Sequence, residues 1–143
     1  MESQVTEPVL TLRQPWASAT FHAGKDVENR PKRTHYRGRL WIHAGQYDKP
    51  VDTAREEGLG LWIPEEPLPR KVILGCVELY DCVEDSDSDW ALPGQYHWLI
   101  RRPMLLVRPV WHTGQLGFSW RRPPQGRLVA PRRRGNWLSL PGS

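Results

Sequence analysis

The chain has 143 residues, a formal net charge of +4, two cysteines and 38% hydrophobic residues, which suffices for one hydrophobic core. No apolar run approaches the roughly 20 residues that a bilayer-crossing helix needs, and MESQVTEPVL lacks the regions of a secretory leader, so no membrane attachment and a cytoplasmic location are expected. Cys76 and Cys82 have no CxxC spacing and no second pair to complete a tetrahedral zinc site, so both read as reduced and structural, with no metal and no cofactor expected.

Val9 to Leu12 is a short apolar run that reads as a buried strand. It ends at Gln14-Pro15-Trp16, where proline suits a first helical turn. Trp16 to Ala23 then reads as a short helix closed by Gly24 in the left-handed C′ conformation. Val27 to Arg30 is extended before Pro31, and Arg39 to His43 is a stronger strand. Residues 50–57 are expected to form a helix after Pro50, and the glycines and prolines between Gly58 and Pro69 a loop. The segment 71–80, KVILGCVELY, is the most apolar strand, with Gly75 as a bulge or a point of close approach. The acidic stretch 81–89 reads as a loop, Tyr96 to Ile100 and Met104 to Val107 as two strands around Arg101-Arg102-Pro103, and Pro109 to Trp120 as a closing turn and strand.

Many short strands, two short helices and abundant turn residues predict a mainly β chain with short helices (α+β), folded as a small β-barrel with helical decoration over residues 1–120. Residues 121–143 carry four prolines, six arginines and no acid, and form a basic tail expected to be mobile unless Trp137 and Leu138 dock back. Without that tail, 14 basic side chains face 16 acidic ones, a balance of −2. The charge is therefore patterned: Lys25, Arg30, Lys32, Arg33, Arg37 and Arg39 crowd one segment, and Asp81, Glu84, Asp85, Asp87 and Asp89 another.

The blocks Leu10-Thr11-Leu12-Arg13-Gln14-Pro15-Trp16-Ala17, Gly24-Lys25-Asp26-Val27-Glu28-Asn29-Arg30 and Tyr36-Arg37-Gly38-Arg39-Leu40-Trp41-Ile42-His43-Ala44 open a longer pattern. With Gly75-Cys76-Val77-Glu78-Leu79, Tyr96-His97-Trp98 and Gly114-Gln115-Leu116-Gly117-Phe118 it resembles an ASCH domain of the PUA-like superfamily, over roughly residues 9–120. The resemblance implies a partly open PUA-like barrel with a cleft beside the first helix, and binding of RNA, single-stranded nucleic acid or a modified nucleoside. The family also includes small hydrolases of N4-acetylcytidine and a ribonuclease, so a metal-independent hydrolase on the same cleft is the alternative, and a non-catalytic protein-interaction domain the second. Fold alone does not choose among these.

Lys25 and Glu28 leave one turn three residues apart, and alternation places Glu78 on the face opposite Val77 and Leu79. Together they are the candidate catalytic cluster, or else an ion-pair cluster holding the turn to the barrel. The family's amidohydrolases resemble a lysine-threonine-glutamate arrangement, in which Lys25 matches the lysine and Glu78 the glutamate, while Glu28 stands where the threonine would be. A glutamate can serve as nucleophile or as general base for water, so the mechanism does not carry over intact. Arg13, Gln14, Trp16, Asn29, Arg30, Lys32, Arg33, Arg37 and Arg39 are the candidate nucleic-acid contacts, with the cations on phosphates, Asn29 on a base edge or capping the turn, and Trp16 as the base-facing ring.

Overall fold

The computed structural model describes residues 5–48, 62–63, 67–113, 117–132 and 136–137. In chain order these form β1 (Glu7–Gln14), α1 (Trp16–His22), β2 (Val27–Arg30), β3 (Gly38–Asp48), β4 (Trp62–Ile63), β5 (Val72–Val83), β6 (Tyr96–Trp111), β7 (Gly117–Arg121), β8 (Leu128–Val129) and β9 (Asn136–Trp137). The main sheet runs β2-β6-β5-β3-β1-β7, with β8 added to β6, while β4 and β9 pair separately. All neighbours are antiparallel except β1 and β3, which run parallel from Val9 opposite Trp41.

The sheet curls into a small half-closed barrel. Trp98 on β6, next to one edge, stacks on Phe118 of β7 at the other edge, with centroids 5.1 Å apart and planes 20° from parallel. Inside the curl lie Leu10, Leu12, Leu40, Ile42, Val77, Leu79, Trp98 and Ile100, joined by Ala17 and Phe21 of α1. The intervening positions Val9, Trp41, Ile73 and Cys76 are buried on the other face, where Leu128 of β8 packs against them. Burial on both faces explains why these strands read as near-continuous apolar runs and not as strict alternation.

Glycines act where they were expected to. Gly24 has φ +71° and follows the last turn of α1, whose Ala23 amide donates to Ala19. At Gly75 the register shifts, and a Cβ there would fall on the Met104 carbonyl oxygen.

Three local expectations need correction. β6 is one strand of 16 residues and not two, because Arg102 turns through φ +54° and the register slips between Met104 and Arg101. That bulge accommodates Pro103, whose missing N–H would otherwise interrupt the ladder. β5 runs on to Val83 through Asp81, since Cys82 is a buried inward residue and the exposed acid beside it accepts the Cys82 amide at 2.8 Å. Trp62 and Ile63, expected in a loop, pair with Trp137 and Asn136. All of the expected helix at residues 50–57 and, apart from residues 62–63, its following loop up to residue 66 lie outside the described residues, among which α1 is the single helix. No helix among the described residues is long and apolar enough to cross a membrane.

Candidate nucleic-acid interface

The turn after α1 builds the first part of the site. Ala23 and Lys25 amides both donate to the Ala19 carbonyl, and the left-handed Gly24 between them swings Lys25 back beneath the helix. Glu28 is the register partner of Trp98 on β6, and paired residues share a face, so its carboxylate points to the core side. Lys25 Nζ donates to Glu28 Oε2 at 3.2 Å, with only 3% and 12% of the two side chains exposed.

Glu78 is not brought to this pair. Its register partner is Arg101, one position from inward-facing Ile100, so it stands on the outer face, where Arg101 and Arg102 donate to it at 3.0 and 3.1 Å. The Arg101 hydrogen bonds hold its carboxyl below the ordinary 4.5. Alternation correctly set Glu78 opposite Val77 and Leu79, but that side is the outside of the barrel, so two of the three candidate catalytic groups meet and the third does not.

The candidate cations separate into two classes. Arg37 pairs with Asp81 at 3.6 Å, and Arg39 pairs with Glu7 at 3.0 Å, the same carboxylate that accepts the Trp41 indole N–H. Arg30 lies over the Trp98 ring at 5.6 Å and Arg33 over Tyr96 at 5.3 Å, as Arg39 does over Trp41 at 5.7 Å, but Arg30 and Arg33 have no carboxylate partner among the described residues. The Trp98 and Tyr96 rings stand two apart on β6, hence on one face, so the Arg30 and Arg33 guanidiniums lie over rings on the same side of the strand. Lys32 is exposed, and its carbonyl accepts the Trp98 indole N–H at 3.0 Å, which pins the loop that bears these side chains. Arg13 is exposed at the end of β1.

Two predicted contacts are already engaged in the fold. Gln14 is 1% exposed: its carbonyl oxygen accepts the Ser18 amide at the start of α1, and its amide donates to Ser18 Oγ and the Pro69 carbonyl. Asn29 donates to the Trp90 carbonyl and accepts the Leu92 amide, which fastens the acidic loop to β2. Trp16 is half-buried and packs on the core.

A polar network escaped the sequence reading. The His112 carbonyl can only accept, so His43 Nε2 donates to it and His43 Nδ1 accepts the Thr11 hydroxyl at 3.0 Å. Arg121 donates to His112 Nδ1 at 2.9 Å. Burial pushes both histidines below 6.5, and Arg121 adds to the effect at each. His97 likewise accepts the Ser86 amide and donates to the Leu92 carbonyl, so both nitrogens of His43 and of His97 are occupied. Buried polar positions within apolar strands, Thr11 and His43 above all, were the available signal.

The sequence profile of the ASCH domain matches residues 10–100. The chain belongs to the ASCH domain family. Its matched span is 34% identical over 92 residues to Activating signal cointegrator 1 of Mus musculus and 35% identical over 92 residues to the protein of that name from Homo sapiens. Each alignment covers 59% of this chain and 16% of the relative, so the ASCH region here corresponds to a small part of those proteins. Lys25, Glu28 and the Arg30-on-Trp98 contact all fall inside the ASCH match, whereas Phe118, Trp120 and β8 lie beyond it.

Proposed function

We propose that this ASCH domain binds single-stranded nucleic acid, RNA foremost, at the seam between β2 and β7. The observation that supports it most is the pair of guanidiniums on Trp98 and Tyr96 without carboxylate partners among the described residues. Guanidinium is weakly hydrated and matches phosphate oxygens with a two-pronged set of donors, and the ring beneath each one limits where it can swing before any ligand arrives. Lys32 adds an exposed charge on the same loop.

The test is fluorescence anisotropy with labelled RNA and DNA oligonucleotides across a salt series. Arg30→Ala and Arg33→Ala should each weaken binding and flatten the salt slope by roughly one phosphate's share, about 0.7 for a single strand. Arg37→Ala and Arg39→Ala should do less, because those charges are already neutralised by Asp81 and Glu7. Equal loss from all four, or none from the first two, refutes the assignment and favours a protein partner.

A second reading is amide hydrolysis of an acylated cytosine at Lys25 and Glu28, with Glu28 drawing a proton from water and Lys25 stabilising the oxyanion. It is supported by the buried pair alone. Incubation with N4-acetylcytidine tests it: release of cytidine that is lost in Glu28→Gln and kept in Glu78→Gln is the expected signature.

A further inference from the structure

β7 carries aromatic rings at alternate positions, Phe118 and Trp120, which therefore share a face. Phe118 is turned into the barrel on Trp98, whereas Trp120, about 7 Å further along the strand, is 57% exposed. The exposed indole is held in place. Tyr36 meets it edge to face at 5.6 Å and 86°, and the Tyr36 hydroxyl donates to the Arg39 carbonyl at 2.6 Å. Tyr36 belongs to the same loop as Lys32 and Arg33, and at the other end of β7 the Arg30 guanidinium lies 3.7 Å from where a Gly117 Cβ would be. One short strand thus lines up a cation with no carboxylate partner among the described residues, a core ring and an open ring.

We infer that Trp120 is a base-stacking platform for a nucleic-acid strand whose phosphates meet Arg30 and Arg33. The inference deepens the binding function proposed above and rests on it. Stacking needs a flat face beside backbone-binding cations and no base-specific groups. The surroundings favour a nucleobase over a protein side chain: Trp120 lies between Ser119 and Arg121 on β7, with exposed Arg122 next, and no other exposed large apolar side chain accompanies it on that strand. A protein hot spot would need an apolar surround that excludes water.

The experiment uses the full chain and matched RNA and DNA oligonucleotides, with Trp120→Ala, Trp120→Phe and the double variant Arg30→Ala/Arg33→Ala. Trp120→Ala should weaken oligonucleotide binding by about five- to 150-fold, the range of one stacked base, and Trp120→Phe should retain most of it. Photocrosslinking of a 5-bromouracil oligonucleotide to the unaltered chain should place the adduct on the peptide containing Trp120, a readout independent of how the alanine variant folds. Unchanged affinity in Trp120→Ala in both arms, or adducts only on other peptides, overturns the platform. If the double arginine variant still loses affinity in that case, the seam remains the binding site; if it does not, both readings fall.

Discussion

Glu28→Gln is the sharpest probe of the Lys25 pair. The change preserves shape and removes the charge that compensates an ammonium whose side chain is 3% exposed. Breaking a buried pair from one side costs about 3–5 kcal/mol, because the remaining charge stays desolvated. A domain of this size has about 5–15 kcal/mol in all, so the variant should remain folded while its urea midpoint drops by about 2 M for a denaturant slope of about 2 kcal/mol per M. Lys25→Met/Glu28→Gln should recover much of the loss, since neither charge is then stranded. Urea unfolding of the two single variants and the double gives the full cycle. A Glu28→Gln midpoint equal to the parent's would show that water reaches Lys25, and the argument from burial would collapse.

Acidification should weaken the fold through His43 and His112. Both are held below the ordinary 6.5, so below that pH the unfolded chain takes up protons that the folded chain refuses, and stability falls as pH drops toward the folded values, by up to about 1.4 kcal/mol per unit for buried His43. Urea midpoints at pH 7.5 and 5.5 check this, and equal values contradict it; Glu78, held below 4.5, acts only in a lower window. Burial pushes the Cys76 thiol up, so iodoacetamide at neutral pH should leave Cys76 unalkylated until urea unfolds the chain, as mass spectrometry of the Cys76 peptide will show. Gly75→Val should lose about 3 kcal/mol, since its Cβ meets the Met104 carbonyl and the opposing strand must shift. A thermal midpoint near the parent's would mean that β6 yields there at little cost.

What the sequence disclosed was chemistry settled within a few residues. Gly24 after a helix, Val27 to Arg30 before Pro31, and Gly75 inside an apolar run each carried its own local reason, and each stands as read. Partnerships across the chain were illegible. Gln14 reaches Pro69 and Asn29 reaches Trp90, 55 and 61 residues away, so nothing near either residue revealed that its hydrogen-bonding groups were spoken for. Charge counting could not separate Arg30 and Arg33 from Arg37 and Arg39, because the distinction lies in Asp81 and Glu7. Period-two alternation sorts residues into two faces without saying which is inside, and Glu78 was lost to that ambiguity, all the more since this sheet is buried on both sides along part of β3 and β5.

The order of strands also bears on how the protein is made. β1 leaves the ribosome before both of its neighbours, β3, reached after α1 and β2, and β7, which begins at residue 117. Until that late strand arrives, the apolar Val9-Leu10-Thr11-Leu12 segment offers one bare ladder of amides and carbonyls to any other nascent copy. A premature stop ahead of β7 would therefore yield a sticky species and not simply a shorter one, and slow synthesis through β6 would prolong the hazard.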